Sequence, residues 1–412
     1  AVNRKKQKMA KQFTCSAFAD EAHNNVDFGK ILSRNSYSRT FKQPEIILRL
    51  EDMSDIPKYK EAIKEGYKDK VPFTMRTVEY TVSYNNLDRV NDGTNRIPAL
   101  IPTKDNLELL EFTLDNLQQH EVDKYILPVV IDDRSTNPEA IERLANKYGA
   151  VHIRVIYESA AFNFSMINNL AAWIFYHAGK KELILWNSDL WVDNKEVVPS
   201  LIQKYRDSRK INPSISLAGT KLLYPQQGFC PLVDEDKFIS SLAADFNKDI
   251  SVFREYPPFG TVQFGGSTFS ALPYFDNRST SPILLSPAHY GRFLEQQHPA
   301  VNLDRGCSFI TGAFQILDLD DFYTLGGLNP SLDISMQDID YCQRLNKNSK
   351  VIYYFGRDKY MIHAESMTLS SKARGKQKDN KKSVYWRVRQ FSGEILYAIL
   401  WNESAILGSL PL

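Results

Sequence analysis

From residue 97 onward, apolar runs of strand length alternate with stretches whose apolar residues recur at helical spacing. Ala99-Leu100-Ile101-Pro102 reads as a short buried strand, and Leu107, Leu110, Leu114 and Leu117 then fall on one helical face. Tyr125 to Ile131 is a second apolar strand. Asn137-Pro138 marks the next helix start, because Asn caps well and Pro suits the first helical position. Ile141, Leu144, Ala145 and Tyr148 carry that helix on one stripe. Val151 to Tyr157, the helix Phe164 to His177 and the strand Glu182 to Trp186 continue the alternation. Strands and helices at this spacing predict a parallel sheet covered by helices on both faces, with ligands at the carboxyl ends of the strands.

The first 95 residues lack this rhythm. Pro57 to Tyr67 reads as a short helix, Thr77 to Tyr84 as a strand, and Asn91-Asp92-Gly93 as a turn at a boundary. The expected organisation is an N-terminal extension over 1–95, a main domain over 96–370, and a C-terminal helical extension over 371–412.

Composition narrows the class little. The 412 residues are 43% hydrophobic and 24% charged, as in an ordinary globular protein. With 51 Lys plus Arg against 49 Asp plus Glu, the net charge of +2 gives no ground for nucleic-acid binding by the whole chain. Cys15, Cys230, Cys307 and Cys342 are scattered without metal-ligand or disulfide spacing, as in a cytosolic chain with reduced thiols. The basic run Arg4-Lys5-Lys6-Gln7-Lys8 has no apolar segment after it, so no signal peptide is expected. The missing initiator Met points to a trimmed start or a fragment. The best apolar stretch, Ile395 to Trp401, is too short for a membrane span.

Polar residues cluster where the expected strands end. Asp132-Asp133-Arg134-Ser135-Thr136 closes the second strand, and its carboxylates can accept hydrogen bonds from a base or ribose, or form a capped polar turn. Asn187-Ser188-Asp189 closes the fourth strand. Asp189 there can hold a divalent cation against a diphosphate, since hard cations take oxygen ligands, or sit in a turn. Asp338 and Asp340 fall at the start of a helix whose apolar stripe is Ile339, Cys342 and Leu345. The helix dipole alone accounts for both carboxylates, while Asp338 also suits a general base. His363 follows the apolar strand Val351 to Phe355 and is either a structural residue or a metal ligand.

Taken in order, these segments resemble glycosyltransferase family two, and in particular members that build bacterial surface polysaccharides, of the rhamnosyltransferase and O-antigen type. Ile101-Pro102-Thr103-Lys104-Asp105 and Asp132-Asp133-Arg134-Ser135-Thr136 resemble the family's opening. Asn163-Phe164-Ser165-Met166-Ile167-Asn168-Asn169 resembles its Asn-Phe-Ser-x-x-Asn-Asn segment, and Leu185-Trp186-Asn187-Ser188-Asp189 a variant of its Asp-x-Asp motif. Gly219 to Pro225, Val262 to Gly266, Thr311-Gly312-Ala313-Phe314, Gly326-Gly327-Leu328, Gln337 to Leu345 and His363-Ala364-Glu365-Ser366 complete the series.

The resemblance covers about 97–370. It implies a GT-A (Rossmann-like) mixed, mainly parallel sheet, with a nucleotide-sugar half over 96–195 and an acceptor and catalytic half over 196–370. It also implies an inverting glycosyltransferase with a UDP- or dTDP-linked donor and Mg²⁺ or Mn²⁺. The acceptor would be a glycan or a lipid-linked molecule, and the setting cytoplasmic or the cytoplasmic face of a membrane. The donor would meet Pro102, Thr103, Asp105, Asp132, Asp133, Asn163, Asn168, Asn187 and Ser188, with Thr103 near the ribose and Asp132 or Asp133 facing the base. Asp189 and His363 would hold the metal, and Asp338 would be the base.

Two departures stand out: Asn187 replaces the first Asp of Asp-x-Asp, and Gln337 replaces the Glu that usually precedes the base. Both also fit a non-catalytic nucleotide-sugar-binding module on the same fold. A nucleotidyltransferase is disfavoured, because Pro102-Thr103-Lys104-Asp105 lacks the glycines of a phosphate loop. The long segment from Gln226 to Arg305 is expected to form acceptor-side loops. The basic run beginning at Lys372 reads as a solvated loop, a flap over an anionic donor, or a contact with an anionic membrane surface.

Overall fold

The computed structural model describes residues 36–46, 73–91, 94–157, 162–246, 248–272, 284–365 and 397. The expected helix Pro57 to Tyr67, the basic run from Lys372 and the helical tail lie outside the described residues, apart from Tyr397.

Strands β1 (Ser36–Ile46) and β2 (Phe73–Asn85) form an antiparallel pair. β3 (Ile97–Thr103) and β4 (Ile126–Asp133) are buried at every position, which is why they read as unbroken apolar runs rather than as alternation. Between them α1 (Leu107–Gln119) buries Leu109, Leu110, Leu114 and Leu117. Leu107, expected on that face, opens the helix and is 39% exposed. Leu109 faces inward instead, clustered with Trp191 and Ile362. α2 (Pro138–Lys147) starts as its sequence predicts, with Pro138 at its first position and the Asn137 side chain accepting from the Ala140 N–H.

The alternation continues through β5 (Val151–Tyr157), α3 (Phe164–His177), β6 (Glu182–Trp186), the short β7 (Leu190–Trp191), α4 (Val197–Ile211) and β8 (Ile215–Leu223). Two helices, α5 (Glu235–Asp245) and α6 (Ile250–Glu255), then β9 (Val262–Phe264) and the ribbon of β10 (Ser267–Leu272) and β11 (Leu284–His289) fill much of the segment expected to be loops. The chain returns through β12 (Asp304–Gly306), β13 (Phe314–Asp318), α7 (Leu319–Thr324), α8 (Gln337–Lys347) and β14 (Val351–His363).

The main sheet runs β1-β2-β5-β4-β3-β6-β13-β8-β14-β12, with β7 on β14 and β9 on β8. β5, β4, β3 and β6 pair in parallel, and β14 pairs in parallel with β8. β13 is inserted between β6 and β8 in the opposite direction. This is the mixed sheet, with its long central strands aligned, that the sequence implies. The strand expected over Thr77 to Tyr84 lies within β2, which joins the edge of this sheet through β5.

The reversal of β13 positions the site. Phe314 pairs with Trp186, so the preceding Thr311-Gly312-Ala313 sits at the carboxyl end of β6. The last residue of β14, His363, pairs with Leu190 just beyond that same end. Cys230, Cys307 and Cys342 are free thiols. No helix among the described residues is long and apolar enough to cross a membrane.

Candidate active site

At the carboxyl ends of β3 and β6 a cleft of about 440 Å³ opens. Pro102, Asn187, Ser188, Asp189, Asp338 and His363 all line it. Residues separated by more than two hundred positions thus meet in one cavity, where an open α/β sheet places its ligands.

Asp189 is set by the tight connection from β6 to β7. Trp186 Nε1 donates to the Leu190 carbonyl at 3.0 Å, and the Asn187 N–H donates to Ala313 O at 3.0 Å. α1 holds the segment from below: Thr113 Oγ1 donates to Ser188 O, while Asn116 donates to Val192 O and accepts from the Val192 N–H. The Ala364 N–H donates to Asp189 O at 3.1 Å, bringing His363 alongside.

His363 Nε2 stands 3.2 Å from Asp189 Oδ1, and both side chains are nearly buried. His363 Nδ1 donates to Gln263 Oε1 at 2.9 Å. In the neutral ring Nε2 therefore carries a lone pair, aimed at a carboxylate oxygen and without a hydrogen-bond partner. Two lone pairs face to face repel, so a proton or a cation belongs between them. A carboxylate with an imidazole whose far nitrogen is fixed by a carbonyl is a donor set suited to a divalent metal. Among the described residues, no group of three or more His, Cys, Asp or Glu could hold a metal, so further ligands would come from substrate or water.

Asp338 is on the first turn of α8, behind Met336 in a left-handed conformation with φ 66°. Its Oδ2 accepts from the Gly312 N–H at 2.7 Å and its Oδ1 from its neighbour Ile339 N–H at 2.9 Å. Burial raises its pKa above the ordinary aspartate value, and those two N–H groups only partly offset the rise. Asp340 is different in kind: it is buried in an ion pair with Arg344, whose guanidinium also reaches Leu325 O and Gly327 O. Arg344, held by Asp340, thereby pins the Gly326-Gly327 turn against α8.

Of the expected donor residues, Pro102, Asn187 and Ser188 line the cleft, whereas Thr103, Asp105, Asp132, Asp133, Asn163 and Asn168 do not. Thr103, Asp132 and Arg154 are cross-strand neighbours in the registers of β3, β4 and β5. Thr103 Oγ1, Asp132 Oδ2 and Arg154 Nε are all buried without a hydrogen-bond partner, although Asp132 Oδ2 is 3.7 Å from Arg154 Nε. Asp133 is engaged by Arg134 at 2.7 Å and Tyr157 OH at 3.2 Å, with Lys104 at 3.9 Å; Arg134 lies over the Tyr157 ring. Burial still leaves its pKa raised. Asp105 is exposed and receives the Thr136 N–H and hydroxyl, tying the ends of β3 and β4 together.

Asn163 and Asn168 do not line the cleft. Asn163 caps α3 through the Met166 N–H and donates to Pro330 O; Asn168 donates within the helix to Phe164 O. Ser165 donates to Leu332 O, and Asn169 both donates to Leu328 O and accepts from the Leu328 N–H. The Asn-Phe-Ser-x-x-Asn-Asn segment thus fastens the loop that leads into α8.

One group was read only in part: Glu365 belongs to the quoted segment His363-Ala364-Glu365-Ser366, whereas His289 and Arg292 are not singled out by the sequence. His289, Arg292 and Glu365 also line the cleft. Arg292 donates to Glu365, to Tyr224 OH at 2.8 Å and to His289 Nδ1 at 2.6 Å. Burial opposes ionisation of Glu365, yet the Arg292 guanidinium beside it holds it down to about 2. The available signal was His289-Tyr290-Gly291-Arg292, a glycine turn (φ 70°) that follows β11 and brings a His and an Arg three residues apart.

No family model matches the chain. It is 22% identical over 258 residues to the uncharacterized protein y4gI of Sinorhizobium fredii, covering 62% of this chain and 23% of that one. It is 22% identical over 274 residues to the O-antigen biosynthesis protein RfbC of Myxococcus xanthus, covering 66% of this chain and 18% of that one. The chain thus spans about a fifth of the length of these relatives. A similar solved structure is S. aureus TarS 1-349 in complex with UDP-GlcNAc, with a TM-score of 0.36 and 13% identity, covering 65% of this chain and 58% of that one.

Proposed function

We propose that this chain is an inverting glycosyltransferase that moves a sugar from a nucleotide-sugar donor to a hydroxyl of a glycan or lipid-linked acceptor in surface polysaccharide synthesis. The observation that carries this reading is the meeting of Asp338 with the Asp189–His363 pair across one cleft. The ordered motifs and the likeness to an O-antigen biosynthesis protein support it.

The polar row Thr103, Asp132 and Arg154 leaves buried donors and acceptors that a uracil or thymine base and its ribose can satisfy. A buried polar atom left unpaired costs about 1–3 kcal/mol, which a bound nucleoside would recover. Asn187 and Ser188 line the cleft beside Asp189 and would meet the donor's ribose and diphosphate. Asp189 and His363 would hold Mg²⁺ or Mn²⁺, with diphosphate oxygens and water completing the shell as such ions prefer. When bound, that ion neutralises charge on the leaving diphosphate.

Asp338 takes the proton from the acceptor hydroxyl as its oxygen attacks the anomeric carbon from the side opposite the diphosphate. Its raised affinity for a proton makes it a better base than an exposed aspartate. The Gly312 and Ile339 N–H groups fix the carboxylate plane at the wall of the cleft.

The division of labour would be 96–195 for the donor and 196–370 for acceptor and catalysis; of the stretch 1–95 expected as an extension, β2 is part of the main sheet and its core. A cytoplasmic setting, or peripheral contact with a cytoplasmic membrane face, fits a lipid-linked acceptor.

The test is a thermal-shift screen of UDP- and dTDP-sugars with Mn²⁺, followed by release of nucleoside diphosphate. A donor that binds the folded chain raises its midpoint. Stabilisation without any turnover would favour the binding-module reading, to which Asn187 and Gln337 point. No stabilisation by any nucleotide sugar would remove both.

A further inference from the structure

Resting on the transferase reading, we infer that His289 is a sugar-recognition residue of the cleft, loaded through its inner nitrogen by Arg292 so that its Nε2–H donates to a hydroxyl of a bound sugar.

The argument begins with Arg292. A guanidinium has five N–H donors, no acceptor, and keeps its charge. Its Nη2 lies 2.6 Å from His289 Nδ1, so Nδ1 must present a lone pair. That fixes the tautomer: the proton sits on Nε2 and the ring is neutral. The Gln263 carbonyl, 3.3 Å from the same Nδ1, then lies beside a lone pair and is not a hydrogen-bond partner. Burial and the adjacent guanidinium agree, pushing the His289 pKa down to about 4.

Arg292 is itself immobilised. Nη1 is 3.0 Å from Glu365 Oε2 and Nη2 is 3.3 Å from Glu365 Oε1, while Tyr224 OH accepts from Nη1 and donates to the same carboxylate. Its positive charge is spent on Glu365, so the group as a whole is neutral. It would attract no phosphate; it would offer a fixed, uncharged N–H donor. The ring is held edge-on to Phe264, with centroids 5.0 Å apart, and it lines the cleft that Asp189 and Asp338 also face. A rigid neutral donor whose orientation is set by a buried ion pair suits a hydroxyl, which accepts as well as donates.

A hydroxyl of the donor sugar and one of the acceptor sugar present the same chemistry, and the experiment separates them. Nitrogen-15 NMR of histidine-labelled protein at pH 7 reads the tautomer without substrate, with the His289 signal identified by its loss in His289→Gln. A neutral ring protonated on Nε2 is expected; a ring protonated on Nδ1, or a doubly protonated one, overturns the proposal whatever the fate of the transferase reading. Calorimetry with Mn²⁺ then compares UDP-glucose with UDP and dTDP-glucose with dTDP, and saturation-transfer NMR titrates methyl glucoside onto the nucleotide-bound chain. His289→Phe keeps the ring shape without the donor, and His289→Gln restores an N–H near the Nε2 position.

The expected result is a loss of about 3–10-fold in the sugar-dependent part of binding for His289→Phe, with recovery in His289→Gln and no change in UDP or dTDP affinity. Loss in the nucleotide-sugar comparison assigns the donor sugar; loss only with methyl glucoside assigns the acceptor. Wild-type sugar increments left intact in His289→Phe refute His289 alone. A wild-type chain that binds none of these nucleotides or sugars removes the transferase reading and this inference with it.

Discussion

His363 Nε2 lies 3.2 Å from Asp189 Oδ1, and the far side of the same ring is held at 2.9 Å by Gln263 Oε1. The carboxamide thereby decides which imidazole nitrogen faces the carboxylate. Replacing Asp189 with Ala is expected to abolish the Mn²⁺-dependent part of donor binding. Gln263→Leu, which frees the ring without removing a ligand, should weaken it by about 10–100-fold. Calorimetry with and without Mn²⁺ checks both, and donor affinity that ignores the metal in the wild type would sink the assignment.

Asp338→Asn keeps an oxygen for the Gly312 N–H but cannot accept a proton. Turnover should fall by about 10²–10⁴-fold while donor affinity survives. Steady-state release of nucleoside diphosphate measures the first and calorimetry the second. A variant with near wild-type turnover would dismiss Asp338 as the base.

The same residue makes a prediction about pH. Burial raises the pKa of Asp338 in the folded chain above its unfolded value, so the folded state binds this proton more tightly than the unfolded one. Its contribution to stability is therefore fully present below the unfolded pKa and is lost as pH rises through the folded pKa. At pH 7 the buried charge is a net cost, and Asp338→Asn should be more stable than wild type there, with the gap closing toward pH 4. Urea melts at the two pH values decide it. In activity, the acidic limb set by this base should lie above the ordinary aspartate range.

Asn169 is buried and meets both main-chain groups of Leu328. Asn169→Ala leaves that N–H and carbonyl stranded, at a cost of about 1–3 kcal/mol. A lower urea midpoint is expected, together with reduced turnover because the loop it secures leads into α8. An unchanged midpoint would show the clamp to be redundant.

Gly219 sits in the middle of β8, where an added Cβ would lie 2.2 Å from Ile310 Cγ2 and 3.0 Å from Phe314 O. Gly219→Ala forces β13 or Ile310 aside and should cost about 1–3 kcal/mol. A thermal melt reads it, and wild-type stability would mean that Ile310 yields freely.

The strands and helices from Ile97 to Trp186 were legible because each is specified locally: unbroken apolar runs in β3 and β4, a cap and Pro at the start of α2. Leu107 was misplaced because helical spacing gives a stripe but not where the first turn meets its neighbour. Asp189, Asp338 and His363 could be named by residue type and order, but not their approach, which depends on β13 running backwards between β6 and β8. Asn163 and Asn168 stood in a motif, and motif position could not say whether they face a ligand or a loop. His289 and Arg292 were missed because their neighbours, Tyr224 and Glu365, are 65 and more residues away in sequence, and no local periodicity records a side-chain network.

The hydrogen bonds that clamp the loop to α3 end on main-chain atoms: Leu328 N and O, Pro330 O, Leu332 O, and Asp333 O, which accepts the Phe164 N–H. A grip on carbonyls and amides is blind to the side chains being gripped. Leu328 and Leu332 are buried in the core and fixed by packing, but the half-buried Ile334 and Ser335, which line the cleft, can be remodelled for a different acceptor while the main-chain bonds still place the carboxylate a few residues on. The segment that reads as a fixed motif is what leaves its neighbour free to vary.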